Sequence, residues 1–171
     1  MASPVTTGAS RGLIHEAEDT VGIAKIDGQH RFLASLYNNM MKILEGDGNH
    51  EHGIYGFTEF FSYVNYHFSS EEQIMRRVLY PEYRSHLFDH RNLIATLELL
   101  GRRIRQRDDG AVMLAKVIGQ WLFCHIRIAD KDLGWYLAVD SAFNSVDTAV
   151  VATAANQAGD SDLERFARYP A

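Results

Sequence analysis

Between His67 and His90 the chain reads HFSSEEQIMRRVLYPEYRSHLFDH and carries two pairs of potential metal ligands. His67 and Glu71 are four residues apart, as are His86 and His90, so on a helix each pair projects from one face about one turn apart. Pro81 stands between the pairs. Because proline removes a backbone donor and clashes with the preceding turn, the pairs are predicted on successive helices, facing each other as antiparallel neighbours. His30 upstream, and His125 with Asp130 downstream, add further such residues where a helix core would carry leucine.

Taken singly, each of these histidines would read as a hydrogen-bonded core residue. Together, five imidazoles and two carboxylates are costly to bury without compensating charge, because each polar group needs a partner and each carboxylate a cation. A metal supplies both. With no thiolate in the set, imidazole suits zinc, copper, iron or nickel. Seven ligands exceed one tetrahedral site, which leaves one crowded ion or, as the better fit, two ions sharing Glu71 and Asp130. His125 and Asp130 are five residues apart, an offset that at about 100° per residue turns Asp130 away from the histidine's direction, as a carboxylate reaching sideways between two ions requires.

The elements that must hold these residues are helical. Asp27 can cap a first helix, along which Phe32, Leu33, Leu36, Met40, Ile43 and Leu44 recur at helical spacing up to the turn EGDGNHEHG. A second is predicted over 54–79, with Phe57, Phe60, Phe61, Val64, Phe68 and Ile74 as its apolar stripe. A third spans 82–106 with Leu87, Leu93, Ile94, Leu97, Leu100 and Ile104, and stops at Asp108-Asp109-Gly110. The fourth, 111–137, carries Leu114, Val117, Ile118, Trp121, Leu122, Ile126 and Ile128. Short connections make this an all-α chain, an antiparallel up-down-up-down four-helix bundle with an N-terminal arm and a short helical C-terminal extension. The expected organisation is a disordered terminus over 1–12, the bundle over 13–137, and the extension over 138–171, where Phe143, Val146, Val150 and Thr153 share one side.

Composition narrows the class. At 171 residues there is room for one ordinary domain, and a net charge of −5 with a pI near 5.9 argues against a nucleic-acid partner. The basic run RRIRQR at 102–107 reads as a solvated helix end that complements the dipole. Cys124, the single cysteine, permits no intramolecular disulfide and reads as a core side chain. Lys116, Gln120 and His125 interrupt the longest apolar run, so no membrane span is expected, and the location expected is cytoplasmic. His50 and His52, in the first turn, are expected to be exposed.

IDGQH (26–30), YHFSSEEQIM (66–75), HLFDH (86–90) and WLFCHIRIAD (121–130) resemble the hemerythrin family, in its bacteriohemerythrin branch. The likeness runs from about Gly22 to Leu137 and meets all seven ligand positions in order. It implies two iron ions joined by an oxo or hydroxo bridge: His86, His90 and His125 on one, His30 and His67 on the other, Glu71 and Asp130 bridging. It further implies reversible dioxygen binding at the five-coordinate iron, for oxygen carriage, storage or delivery, and not an enzyme. Phe68, Trp121, Leu122 and Ile126 fall where the family lines its dioxygen pocket. His15 stands where this branch is expected to carry a tryptophan, and the extension lies outside the likeness. Other uses of such a centre are an oxygen- or redox-sensing adaptor that engages a protein partner through 138–171, an iron reservoir, or peroxide or nitric oxide detoxification. The Glu-x-x-His spacing of ferritin-like di-iron bundles is absent, which weighs against their oxidase chemistry.

Overall fold

A computed structural model describes residues 20–46 and 49–143. Four long helical segments form the bundle: α1 (Ala24–Glu45), α2 (His50–Arg77), α3 (Tyr83–Arg105), and a last one that runs as α4 (Ala111–His125), a π-turn (Ile126–Asp130) and α5 (Lys131–Phe143). α1 packs on α2, α2 on α3, α3 on α4, and α4 returns to α1, which closes the ring. The described residues contain no strand. The core is one cluster of side chains from all four segments, including Leu33, Met40, Phe60, Val64, Leu97, Leu100, Ile118 and Leu122. A smaller cluster at the α2–α3 turn gathers Met75, Tyr80 and Leu133.

Several boundaries and faces differ from expectation for local reasons. α1 begins before Asp27, whose Oδ1 accepts from the Val21 amide at 2.7 Å, so this carboxylate holds the arm instead of capping the helix. α2 starts four residues early because Asn49 caps it, accepting from the Glu51 amide at 3.0 Å. His50 is in consequence half-buried, whereas His52 is exposed. Phe32, Val117 and Ile128, assigned to apolar stripes, are exposed, and so is Cys124, because Leu122, Phe123 and Ile126 take the inward positions of that segment. His15 and most of the extension lie outside the described residues, although α5 carries helix six residues past Leu137.

The segment Ala111–Val139 is helical throughout and, by length and composition, apolar enough to cross a membrane. Lys116, Gln120 and His125 therefore do not break the run as expected. A core helix meets the same measure, and here Ile118, Leu122, Phe123, Ile126 and Leu133 face the bundle interior.

Close approach fixes how the ring closes. Tyr37 of α1 lies against Gly119 of α4, where a Cβ would collide with its ring, and its hydroxyl donates to the Ala115 carbonyl at 3.2 Å. The arm closes the other end: the Val21 carbonyl occupies the space a Cβ on Gly134 would need.

α2 ends in a paired hydrogen-bond motif, with Tyr80 N–H donating to Met75 O at 2.9 Å and Leu79 N–H to Arg76 O at 3.5 Å. The motif places Leu79 at φ 51°, a left-handed conformation that a branched side chain adopts at a cost of about 1–2 kcal/mol. Leu79 is 84% exposed, so its side chain returns little packing. Leu79→Gly should therefore leave the fold intact and stabilise it by up to about 1 kcal/mol, allowing for the greater freedom of glycine when unfolded. Urea denaturation checks this, and a lower midpoint would contradict it.

Candidate metal centre

Each ligand pair predicted from sequence arrives on one helix face. His67 and Glu71 come from α2, His86 and His90 from α3, His30 from α1, and all five are buried. His125 ends α4 and Asp130 ends the π-turn, also buried. The expected sideways offset of Asp130 does not occur. A π-turn takes more residues per revolution than an α-helix, so five residues bring Asp130 back beneath His125, and its Oδ1 lies 3.2 Å from His125 Nε2.

The imidazoles meet the carboxylates through one kind of atom. Nε2 of His30, His67, His86 and His90 lie 3.8, 3.7, 3.6 and 3.3 Å from Glu71. Nε2 of His30 and His86 lie 3.3 and 3.1 Å from Asp130. Donor atoms gather into two groups, each within 4.8 Å: Glu71, His86, His90, His125 and Asp130 in one, and His30, His67, Glu71 and Asp130 in the other. Glu71 and Asp130 belong to both.

Most of these inward atoms lack a hydrogen bond. Nε2 of His30, His67 and His90, and both oxygens of Glu71 and Asp130, are buried without a partner. Buried polar atoms are almost always satisfied, so orphans converging on one space mark a place for cations. All are lone-pair donors of the kind a divalent transition metal takes, and the set fits one ion in each group.

Charge in the protein alone points the same way. Burial lowers His67 to about 4, against the pull of Glu71. Burial also opposes charge on His86 and His30, but Asp130 and Glu71 outweigh it, so that His30 rises and His86 reaches about 9. Burial and the adjacent Asp130 both raise Glu71, yet His67, His86 and His90 hold it down at about 2. Asp130 falls well below the usual carboxylate range, because the close imidazoles of His125, His30 and His86 outweigh its burial penalty. The two carboxylates are thus kept as anions and need positive charge beside them.

The four expected pocket residues border this space unequally. Phe68 lies flat on His90, ring centroids 3.7 Å apart and planes at 4°, and Trp121 stacks on His125 at 5.3 Å. Phe68, Leu122 and Ile126 are buried, while Trp121 is half-buried. Sequence reasoning passed over Gln29. It is buried, its Oε1 accepts from His67 Nδ1 at 3.1 Å, and its amide donates to Ser70 Oγ, which in turn donates to the Tyr66 carbonyl. Its place beside His30 in IDGQH was the available signal.

A four-helix bundle with paired donor groups that share two carboxylates is a scaffold that could hold two metal ions. Residues 21–134 match the model of the hemerythrin HHE cation binding domain, so the chain belongs to the hemerythrin family. Its relatives place it on the bacteriohemerythrin branch. It is similar to the bacteriohemerythrin of Pseudomonas aeruginosa, 28% identical over 129 residues that cover 74% of this chain and 81% of the relative. That of Stenotrophomonas maltophilia is 26% identical over 126 residues, 70% of this chain and 77% of the relative. The crystal structure of wild-type hemerythrin has the same fold, with a TM-score of 0.65 at 23% identity over 71% of this chain and 93% of that one. Family membership makes this a domain of the di-iron, oxygen-binding type.

The charge pattern predicts a stability dome for protein stripped of metal by a chelator. His86, raised to about 9, contributes stability that is full below 6.5 and lost as pH rises through 9. His67, lowered to about 4, works in the other sense: below 6.5 the unfolded ring takes up a proton that the folded ring refuses, so stability falls as pH falls towards 4. Glu71 adds to the acid loss between 4.5 and about 2. Calorimetry should find the highest melting temperature near pH 6.5, and a continued rise from 6.5 to 9 would contradict the assignment.

Proposed function

We propose that this protein binds dioxygen reversibly at two iron ions and serves to carry, store or deliver it in the cytoplasm. The observation that supports this most is the convergence of buried, partnerless imidazole and carboxylate atoms into two groups with Glu71 and Asp130 in common. In this reading His86, His90 and His125 would hold one iron and His30 and His67 the other, with Glu71 and Asp130 shared by both. When bound, the pair would supply two reducing electrons for a small ligand held beside His30 and His67. The binding unit in this reading is residues 13–137, with 1–12 and 138–171 outside it.

The protein's part is to orient and to keep dry. Gln29 accepts from His67 Nδ1, which leaves Nε2 with its lone pair directed inward. Phe68, Leu122 and Ile126, with Trp121 over His125, exclude water and proton donors from the ligand space and so favour release of dioxygen over its reduction. The role is binding and not turnover. Among the described residues, the buried polar side chains beyond the seven ligands are Gln29 and the tyrosines Tyr37, Tyr63 and Tyr80, so no buried carboxylate or imidazole is left over to move protons.

Reduced, iron-loaded protein should hold two irons per chain, gain near-ultraviolet and visible charge-transfer bands in air, and lose them on degassing. Bleaching to the diferric form within one cycle would overturn the carrier reading. His67→Ala or Glu71→Ala should abolish the dinuclear centre and lower the melting temperature of iron-loaded protein, because metal held by the folded form alone adds to folding free energy. Ile126→Ala should cost about 2–5 kcal/mol of stability through the cavity it leaves and speed autoxidation several-fold; an unchanged autoxidation rate would remove Ile126 from the pocket.

A further inference from the structure

The five imidazoles direct Nε2 inward, so their Nδ1 atoms face outward, and what those atoms meet divides the centre unequally. His67 meets the Gln29 amide oxygen at 3.1 Å. His90 meets Glu72 Oε1 at 3.4 Å, and His125 faces Asp89 Oδ2 at 3.9 Å. Nδ1 of His30 and of His86 are buried without a hydrogen bond. The two carboxylates within 4 Å of an outer nitrogen, Glu72 and Asp89, therefore both stand behind the group of His86, His90 and His125, while the outer contact of the group of His30 and His67 is the neutral Gln29 amide, with the Asp27 carboxylate acting on His30 only through space.

Glu72 is built into that role. It lies one turn after Phe68 on α2, so the His90 ring is held by its face against Phe68 and by its outer nitrogen against Glu72. Arg76, a further turn on, lies 3.9 Å from the other Glu72 oxygen and anchors itself by donating from Nε to the Glu72 carbonyl at 3.1 Å. Asp89 occupies the residue before His90 on α3 and lies 3.9 Å from His125 Nδ1 on α4, so α2 backs a histidine of α3 and α3 backs one of α4.

We propose that Glu72 and Asp89 are positioning residues that act through His90 and His125 and make the three-histidine position the stronger electron donor of the two. The proposal rests on the ligand assignment above. Glu72, accepting from His90 Nδ1–H, fixes the tautomer and draws positive charge onto the ring's outer edge, which raises the donor strength of Nε2; Asp89, 3.9 Å from His125 Nδ1, adds its charge without a hydrogen bond, and an amide fixes the tautomer without adding charge. The position with more histidines thereby also has the more basic ones. It holds its ion longer and favours the higher oxidation state.

Cobalt(II) loaded at two ions per chain tests this without dioxygen. Loss to a chelator should be biphasic in the wild type. E72Q, which keeps an acceptor and removes the charge, should accelerate the slow phase by about tenfold or more and leave the fast phase alone, with D89N acting in the same sense. Q29L should accelerate the fast phase, and E72D should restore most of the slow one. In iron-loaded protein, E72Q should raise the midpoint potential. Unchanged release in E72Q and D89N, or equal acceleration of both phases, would overturn the proposal, as would loss at a single rate in the wild type. Wild type that holds two cobalt ions and releases them as described, but fails to bind dioxygen, would overturn the proposed function alone.

Discussion

Two carboxylates buried without hydrogen bonds impose the constraint that the rest of this structure obeys. Glu71 and Asp130 are fully excluded from water, and neither can be compensated by lysine or arginine, since the buried polar residues of the described chain include none. An uncompensated buried carboxylate costs several kcal/mol, enough to consume much of a domain's stability. Five imidazoles relieve part of that cost, but only by accepting protons that metal binding would expel. The conflict is visible in the opposite shifts of His67 and His86, one held neutral and one held charged within the same space. A pair of divalent ions removes it, because each imidazole can then be neutral and each carboxylate remain anionic.

The bundle's packing serves that compensation. A regular α-helix cannot put residues five apart on one face, so a fourth segment without a π-turn would present either His125 or Asp130, but not both. The extra residue is accommodated where α4 becomes α5, and the chain continues as helix on the far side. The outer contacts follow a similar economy: α2 supplies two of the inward donor residues, the aromatic face on His90 and the Glu72 carboxylate, from residues spaced by single turns.

Much of this was legible in the chain. Spacing by four marked His67 with Glu71 and His86 with His90, Pro81 separated their helices, and apolar periodicity gave four segments of the right length and sense. IDGQH and WLFCHIRIAD completed the likeness to hemerythrins that the family match then established. Less legible were the ends and the outward faces. Asn49 against Ile54 as the start of α2, and Asp27 as an arm clamp, depend on which amide a short polar side chain happens to meet, and several choices are compatible with the same periodicity. Exposure of Cys124, Val117 and Ile128 was hidden because a helix apolar on most sides does not declare which side is turned inward.

The sequence by itself determined the helices, their order and the residue types able to hold metal, because these depend on local spacing and on which side chains carry lone pairs. Tertiary structure alone decided that Asp130 turns under His125, that Glu71 and Asp130 belong to both donor groups, and that Glu72 and Asp89 stand behind one group while Gln29 stands behind the other. Those are distances between residues from different helices or across a change of helical pitch, and no periodicity along one chain encodes them.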